Sequence, residues 1–135
     1  MKKTNSKYQI LIVEDNDEQA NLIKLLTEQY GFVSRYITDS TLAYEKIKSD
    51  KPQVVILDLM MPEVDGLRLC RQIKETPETS NTKVIFYSGK MYETDRRKAL
   101  ELGADAFLIK PTRANVLISK IKDLIQPTTH ATYQA

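Results

Sequence analysis

Val54-Val55-Ile56-Leu57-Asp58 is the stretch that decides the fold. Four apolar residues, three of them β-branched, run straight into a carboxylate. An unbroken apolar run this short fits a strand buried on both faces, as in a parallel sheet. Asp58 is the first polar group after the run, so it sits where the strand leaves the core. In open α/β sheets ligands bind outside the carboxyl ends of the strands. Asp58 is therefore either a loop cap or a reactive group, and the rest of the chain has to choose.

Outward from that strand the pattern repeats. Ile10-Leu11-Ile12-Val13 runs into Glu14-Asp15, Val84-Ile85-Phe86-Tyr87 delivers Ser88, and Ala106-Phe107-Leu108-Ile109 delivers Lys110-Pro111. Residues 32–37 form a shorter run of mixed character, which suits an edge strand. Amphipathic segments fill the intervals. Five strands alternating with five helices imply right-handed βαβ units and a parallel sheet covered on both faces.

The helix ends are marked. Asn16 with Gln19 forms a capping-box pattern, Asp17 and Glu18 favour the positive end of the helix dipole, and Gly31 is placed as a C-terminal cap. The expected buried stripe of this helix is Leu22, Ile23, Leu26 and Tyr30. Asp39 or Ser40 caps the second helix, whose Leu42, Ala43 and Ile47 cover the sheet before Lys51-Pro52 ends it. The third helix follows the Asp65-Gly66 turn, turns Leu69, Cys70 and Ile73 inward and stops at Thr76-Pro77. The fourth is expected to open at Thr94 or Asp95, to carry Ala99, Leu100 and Leu102, and to close at Gly103. In the last, Val116, Leu117, Ile121, Leu124 and Ile125 point inward and Pro127 ends it. Residues 1–126 read as one domain and 127–135 as a disordered tail or the start of a linker.

Composition narrows the functional classes. At 135 residues the chain is one domain with room for a real core, and 41% hydrophobic with 28% charged residues is ordinary for a globular protein. A net charge of +2 gives no case for nucleic acid or an anionic membrane. The single Cys70 rules out an internal disulfide framework and reads as a small core residue. No apolar run approaches transmembrane length, and Thr4-Asn5-Ser6-Lys7 stands where a signal peptide needs its apolar region. A cytoplasmic location is expected.

If the sheet is doubly wound, Glu14, Asp15, Asp58, Ser88 and Lys110 converge on one edge. Two carboxylates about 4 Å apart repel by roughly 4 kcal/mol at an effective dielectric of about 20. One lysine does not offset three acids, whereas a hard divalent cation does, and an all-oxygen donor set suits Mg²⁺. With the charge neutralised, Asp58 becomes a plausible nucleophile toward phosphorus, since carboxylates form acyl-phosphate intermediates. Lys110 and the Ser88 hydroxyl are then placed to take phosphoryl oxygens.

At these residues the sequence resembles the receiver domain of two-component response regulators. The motifs are Val13-Glu14-Asp15, Leu57-Asp58-Leu59-Met60-Met61-Pro62-Glu63-Val64-Asp65-Gly66, Tyr87-Ser88-Gly89, and Gly103-Ala104-Asp105 through Lys110-Pro111. They occur in the family's order and at its separations, over nearly the whole chain. The resemblance implies a flavodoxin-like fold with sheet order 2-1-3-4-5. It implies that Asp58 is the phosphoacceptor and that Asp15, Asp58 and the backbone carbonyl of Met60 ligate Mg²⁺, with Glu14 acting largely through water. It further implies that Lys110 binds phosphate, that Ser88 is the switch hydroxyl, that Phe107 is the aromatic switch, and that the Lys110-Pro111 bond is often cis.

The implied donor is a histidine kinase or a histidine phosphotransfer protein. The implied output is a changed surface of fourth helix, fifth strand and fifth helix, with Tyr92, Arg96, Arg97 and Arg113 as candidate contacts to a partner or fused effector domain. Such a domain is not an enzyme on external substrates, and no direct nucleic-acid or membrane binding is expected of it. Some positions depart from commoner family patterns. Phe107 replaces a frequent tyrosine and Gly89 a frequent alanine, and Met60 and Lys90 stand where the family tunes dephosphorylation. Thr112 and Ala106 replace the phenylalanine and second aspartate of many DNA-binding subfamilies, which weakens the case for dimerisation through the last helices.

Taken singly, each of these residues has a structural explanation: Asp15 as a helix-start acid, Asp58 and Ser88 as caps, Lys110 as a surface charge. Unrelated structural needs do not place acid, acid, hydroxyl and lysine at the ends of strands one, three, four and five. A haloacid-dehalogenase-type phosphatase needs an aspartate where Met60 stands. A flavin-mononucleotide binder needs a Ser/Thr/Gly-rich phosphate loop where Glu14-Asp15-Asn16-Asp17-Glu18 stands. The remaining alternative is a degenerate receiver acting as a phosphorylation-independent interaction module, although such domains usually lack one of the acids or the lysine.

Overall fold

The computed structural model describes residues 8–59, 61, 65–89 and 92–125. Among them the elements are β1 (Ile10–Val13), α1 (Asp17–Gln29), β2 (Ser34–Ile37), a 3-10 turn (Ser40–Leu42), α2 (Ala43–Asp50), β3 (Val54–Leu57), α3 (Gly66–Glu75), β4 (Lys83–Ser88), α4 (Glu93–Glu101), β5 (Ala106–Ile109) and α5 (Ala114–Ile125). All four strand pairings are parallel, in the order β2-β1-β3-β4-β5. This is the flavodoxin-like arrangement, with the mixed-character strand at an edge. The expected tail at 127–135 lies outside the described residues.

Strand alternation divides the core in two. Leu11, Val13, Val55, Leu57, Val84 and Phe86 face one side, where Ala43 and Ile47 of α2, Leu69, Cys70 and Ile73 of α3 and Ala99 of α4 cover them. Ile10, Ile12, Val54, Ile56 and Ile85 face the other, under Ala20 and Ile23 of α1 and Leu117, Ile118 and Ile121 of α5. Every residue of β1 and β3 is buried, as a strand covered on both faces requires. Each large aliphatic side chain so buried stabilises the fold by about 1.5–3 kcal/mol.

The helix stripes differ in detail from those expected. On α1, Leu22 is 65% exposed and Tyr30 is exposed too, while Ala20, Ile23 and Thr27 are buried. Thr27 escaped the apolar pattern because its hydroxyl is satisfied inside: Oγ1 donates to the Lys24 carbonyl at 2.9 Å and lies 2.6 Å from Ser34 Oγ. Leu42 is 55% exposed because it ends the 3-10 turn that Asp39 caps, so α2 covers the sheet through Ala43 and Ile47, with Tyr44 packed partly against the same core. On α5, Val116 is exposed and Ile118 takes its place.

Helix α4 begins at Glu93 rather than at Thr94 or Asp95. Tyr92 stands at its cap without a side-chain capping bond, and Leu100 is exposed. The chain leaves α1 and α4 as expected, through Gly31 at φ +94° and Gly103 at φ +104°, a backbone region that suits glycine.

Candidate functional site

Sheet register builds the site. Val13 pairs with Leu57 and Leu57 with Phe86, so the residues just beyond β1 and β3 emerge side by side. The Asp58 N–H donates to the Val13 carbonyl at 3.3 Å and fixes that exit. Ser88 pairs with Ile109, which brings Lys110 alongside; the Lys110 N–H donates to the Ser88 carbonyl at 2.8 Å. Gly66 opens α3 against the same backbone. A Cβ there would lie 3.0 Å from the Asp58 carbonyl oxygen and 3.1 Å from that of Leu59.

The side chains meet as the sequence predicted. Glu14, Asp15 and Asp58 offer carboxylate oxygens that all lie within 4.8 Å of one another. Glu14 is buried, Asp58 half-buried and Asp15 exposed. Lys110 Nζ donates to Glu14 Oε1 at 2.6 Å and lies 3.5 Å from Asp58 Oδ2. Ser88, fully buried, donates from Oγ to Asp58 Oδ1 at 3.1 Å. Burial lifts the Glu14 carboxyl above the usual carboxylate value, against the opposing pull of Lys110 and the Asn16 N–H.

Three acids around one ammonium leave an excess of negative charge in a pocket of oxygen donors. That donor set fits a hard divalent cation. Met60, whose carbonyl was assigned to the same ion, and Lys90 lie outside the described residues.

The remaining assignments are also located. Phe107 is half-buried, its ring centroid 5.6 Å from that of Phe86. The Lys110-Pro111 peptide is cis. Tyr92, Arg96, Arg97 and Arg113 are all exposed, and Arg96 reaches Glu93 at 3.5 Å. A groove of about 870 Å³ beside α2 and α3, lined by Tyr44, Arg68 and Gln72 among others, shares no side chain with the acidic pocket.

Two contacts to Lys110 were missed in the sequence. Gln19 was read only as a capping-box partner. The Asn16 side chain does accept from the Gln19 N–H at 2.9 Å, but the Asn16 N–H donates to Glu14 Oε2 at 3.2 Å. Gln19 Oε1 instead accepts from Lys110 Nζ at 2.6 Å. The available signal was position: one turn into the helix after Asp15, a side chain rises beside the strand ends. Tyr87, read as strand, places its ring centroid 5.6 Å from Lys110 Nζ and its hydroxyl 3.4 Å from the Thr112 N–H donor. Asp105 of the Gly-Ala-Asp motif has a structural role. It accepts the Val84 N–H at 2.8 Å and pairs with Lys74 at 3.0 Å.

Sheet order, acid trio, hydroxyl and lysine define a doubly wound domain with a phosphoacceptor-type pocket. Residues 10–122 match the response regulator receiver domain family, and the chain belongs to it. It is thus a receiver of two-component signal transduction. It is 34% identical over 117 residues to the transcriptional regulatory protein YxdJ of Bacillus subtilis, covering 87% of this chain and 50% of that protein. It is 36% identical over 114 residues to the response regulator protein GraR of Staphylococcus aureus, covering 84% and 50%. The chain therefore spans about half the length of the curated relatives it matches.

Among solved structures it resembles the receiver domain of a DNA-binding response regulator from Colwellia psychrerythraea, with TM-score 0.82, 32% identity and coverage of 89% and 99%. It also resembles the receiver domain of a histidine kinase from Syntrophus aciditrophicus, with TM-score 0.80, 32% identity and coverage of 95% and 94%. The reading as a phosphorylation-independent module gains no support, since acids, hydroxyl and lysine are all present and gathered.

Proposed function

We propose that Asp58 accepts a phosphoryl group from the phosphohistidine of a sensor kinase or phosphotransfer protein. The observation that carries this reading is the bracketing of Asp58, with the Ser88 hydroxyl 3.1 Å from one carboxylate oxygen and the Lys110 ammonium 3.5 Å from the other. An Asp58 oxygen attacks phosphorus, the P–N bond breaks, and its electron pair leaves on the imidazole. Lys110 and Ser88 then hold phosphoryl oxygens, while Glu14 and Asp15 complete the charge balance. Mg²⁺, held by Glu14, Asp15 and Asp58, would neutralise phosphoryl charge when bound.

Phosphate draws Ser88, whose place Phe107 then fills by turning inward. The surface bearing Tyr92, Arg96, Arg97 and Arg113 changes toward a partner or a fused output domain. The domain catalyses its own phosphorylation and dephosphorylation only. A cytoplasmic site of action belongs to the same reading; no helix among the described residues is long and apolar enough to cross a membrane.

Intact mass after incubation with acetyl phosphate, and separately with a phosphorylated histidine phosphotransfer protein, tests it. One added phosphoryl group that requires both Mg²⁺ and Asp58 is expected, and Asp58→Asn should show none. Addition that survives in Asp58→Asn, or none from either donor, would overturn the assignment.

A further inference from the structure

We infer that Gln19 is a positioning residue for Lys110, holding its ammonium at a set distance from Asp58. The inference rests on the reading of Asp58 as phosphoacceptor and adds a residue to that site. Lys110 Nζ has three N–H donors and, among the described residues, three acceptors around it. Two contacts are short, 2.6 Å to Glu14 Oε1 and 2.6 Å to Gln19 Oε1. The third, to Asp58 Oδ2, is long at 3.5 Å.

An ammonium left to itself beside a carboxylate closes to about 2.8 Å. Here two acceptors on the β1–α1 side oppose that closure. Glu14 is already occupied, since its other oxygen takes the Asn16 N–H. Gln19 is neutral, so it holds the ammonium without adding to the acidic charge of the pocket. The standoff leaves space between Lys110 and Asp58 for a phosphoryl oxygen. A donor placed where charge will develop, and not on the resting nucleophile, favours the transition state over the ground state.

The side chain that sets this distance lies on the first turns of α1, 91 residues from the lysine in sequence. The helix does not need it there. Asn16 already caps α1 through the Gln19 backbone N–H, which any residue at that position supplies. Only the side-chain oxygen is specific.

The test compares Gln19→Met, similar in length but without the acceptor, with Gln19→Glu, which restores an oxygen at the same reach. ¹⁵N relaxation of the Lys110 ammonium, measured without Mg²⁺ and without a phosphoryl donor, should show a more mobile group in Gln19→Met and an ordered one in Gln19→Glu. The rate of phosphorylation by acetyl phosphate with saturating Mg²⁺ should fall about three- to tenfold in Gln19→Met, the size of one hydrogen bond. Gln19→Glu should recover part of it.

An ammonium as ordered in Gln19→Met as in the wild type overturns the inference. So does a loosened ammonium with an unchanged rate, or an equal loss of rate in both variants, which marks a general effect on the helix. If the wild type takes no phosphoryl group from either acetyl phosphate or a phosphorylated phosphotransfer protein, the phosphoacceptor reading fails, and the catalytic benefit of the positioning fails with it. The relaxation comparison still reports the tether.

Discussion

Ser88 Oγ donates to Asp58 Oδ1 at 3.1 Å, a bond between the ends of β4 and β3 made by a side chain with no exposed surface. The hydroxyl is therefore held against the resting carboxylate. A phosphoryl group on Asp58 offers a stronger acceptor further from the β4 backbone, and following it requires Ser88 to leave its present place. Ser88→Ala should still accept a phosphoryl group through Asp58, more slowly. The aromatic ¹³C shift of Phe107 that accompanies phosphorylation in the wild type should be absent. A full Phe107 response in Ser88→Ala would separate the ring from the hydroxyl.

Gly66 should tolerate no side chain without cost. Its missing Cβ faces backbone, the carbonyl oxygens of Asp58 and Leu59 at 3.0 and 3.1 Å, and backbone cannot swing aside as a flexible side chain does. Gly66→Ala is expected to lose about 1–3 kcal/mol in urea denaturation, the usual cost of overpacking. It should also slow phosphorylation, because the atoms pushed belong to the proposed phosphoacceptor Asp58 and its neighbour Leu59. Unchanged stability together with an unchanged rate would contradict the contact.

Thr27 and Ser34 satisfy each other at 2.6 Å inside the α1–β2 contact. Thr27→Val leaves Ser34 Oγ buried without this partner and should cost about 1–3 kcal/mol. The double variant Thr27→Val with Ser34→Ala should cost less than the sum of the two singles. A double-mutant cycle in urea measures the coupling directly, and simple additivity would contradict it.

Cys70 should be inert in the folded protein. Burial pushes its thiol up to about 11, with Asp105 adding to the shift and Lys74 opposing it. Reaction with a disulfide reagent at pH 8 should be slow when native and fast in denaturant. The sign of the linked stability follows. The neutral thiol is the form the fold accepts, so its contribution is complete below the unfolded thiol's ordinary value of 9.0 and is lost as pH climbs from there through about 11. Cys70→Ala should remove that alkaline component from a stability-against-pH profile.

The parts of this molecule legible in its sequence are those that repeat a local rule. Ile10–Val13 and Val54–Leu57 announce buried parallel strands because a strand covered on both faces has no polar positions. Their acidic ends announce the site because polar chemistry begins where the sheet stops. The helix stripes were harder. Thr27 lies on the buried face and Leu22 on the exposed one, since a hydroxyl that finds a partner across a helix–strand contact can replace an apolar group. Gln19 and Tyr87 were hard to read for another reason: position alone brings Gln19 near the strand ends, but which group each side chain meets depends on where the distant strand carrying Lys110 lands. The α4 start at Glu93 was missed because Tyr92 gives no side-chain capping bond to signal it.

The ion pair between Glu14 and Lys110 joins residues 96 apart in the chain. β1 lies inside the sheet beside the β2 edge and β5 forms the opposite edge, so the pocket is closed from both sides of the central strand. A nascent chain that has emerged only through β4 carries all three acids and the switch serine, yet no lysine to set against them. The last strand of this sheet is the one that completes the site, so the lysine joins the acids only once the sheet is whole. A chain that stops short of β5 holds the acids without the ammonium that pairs with them.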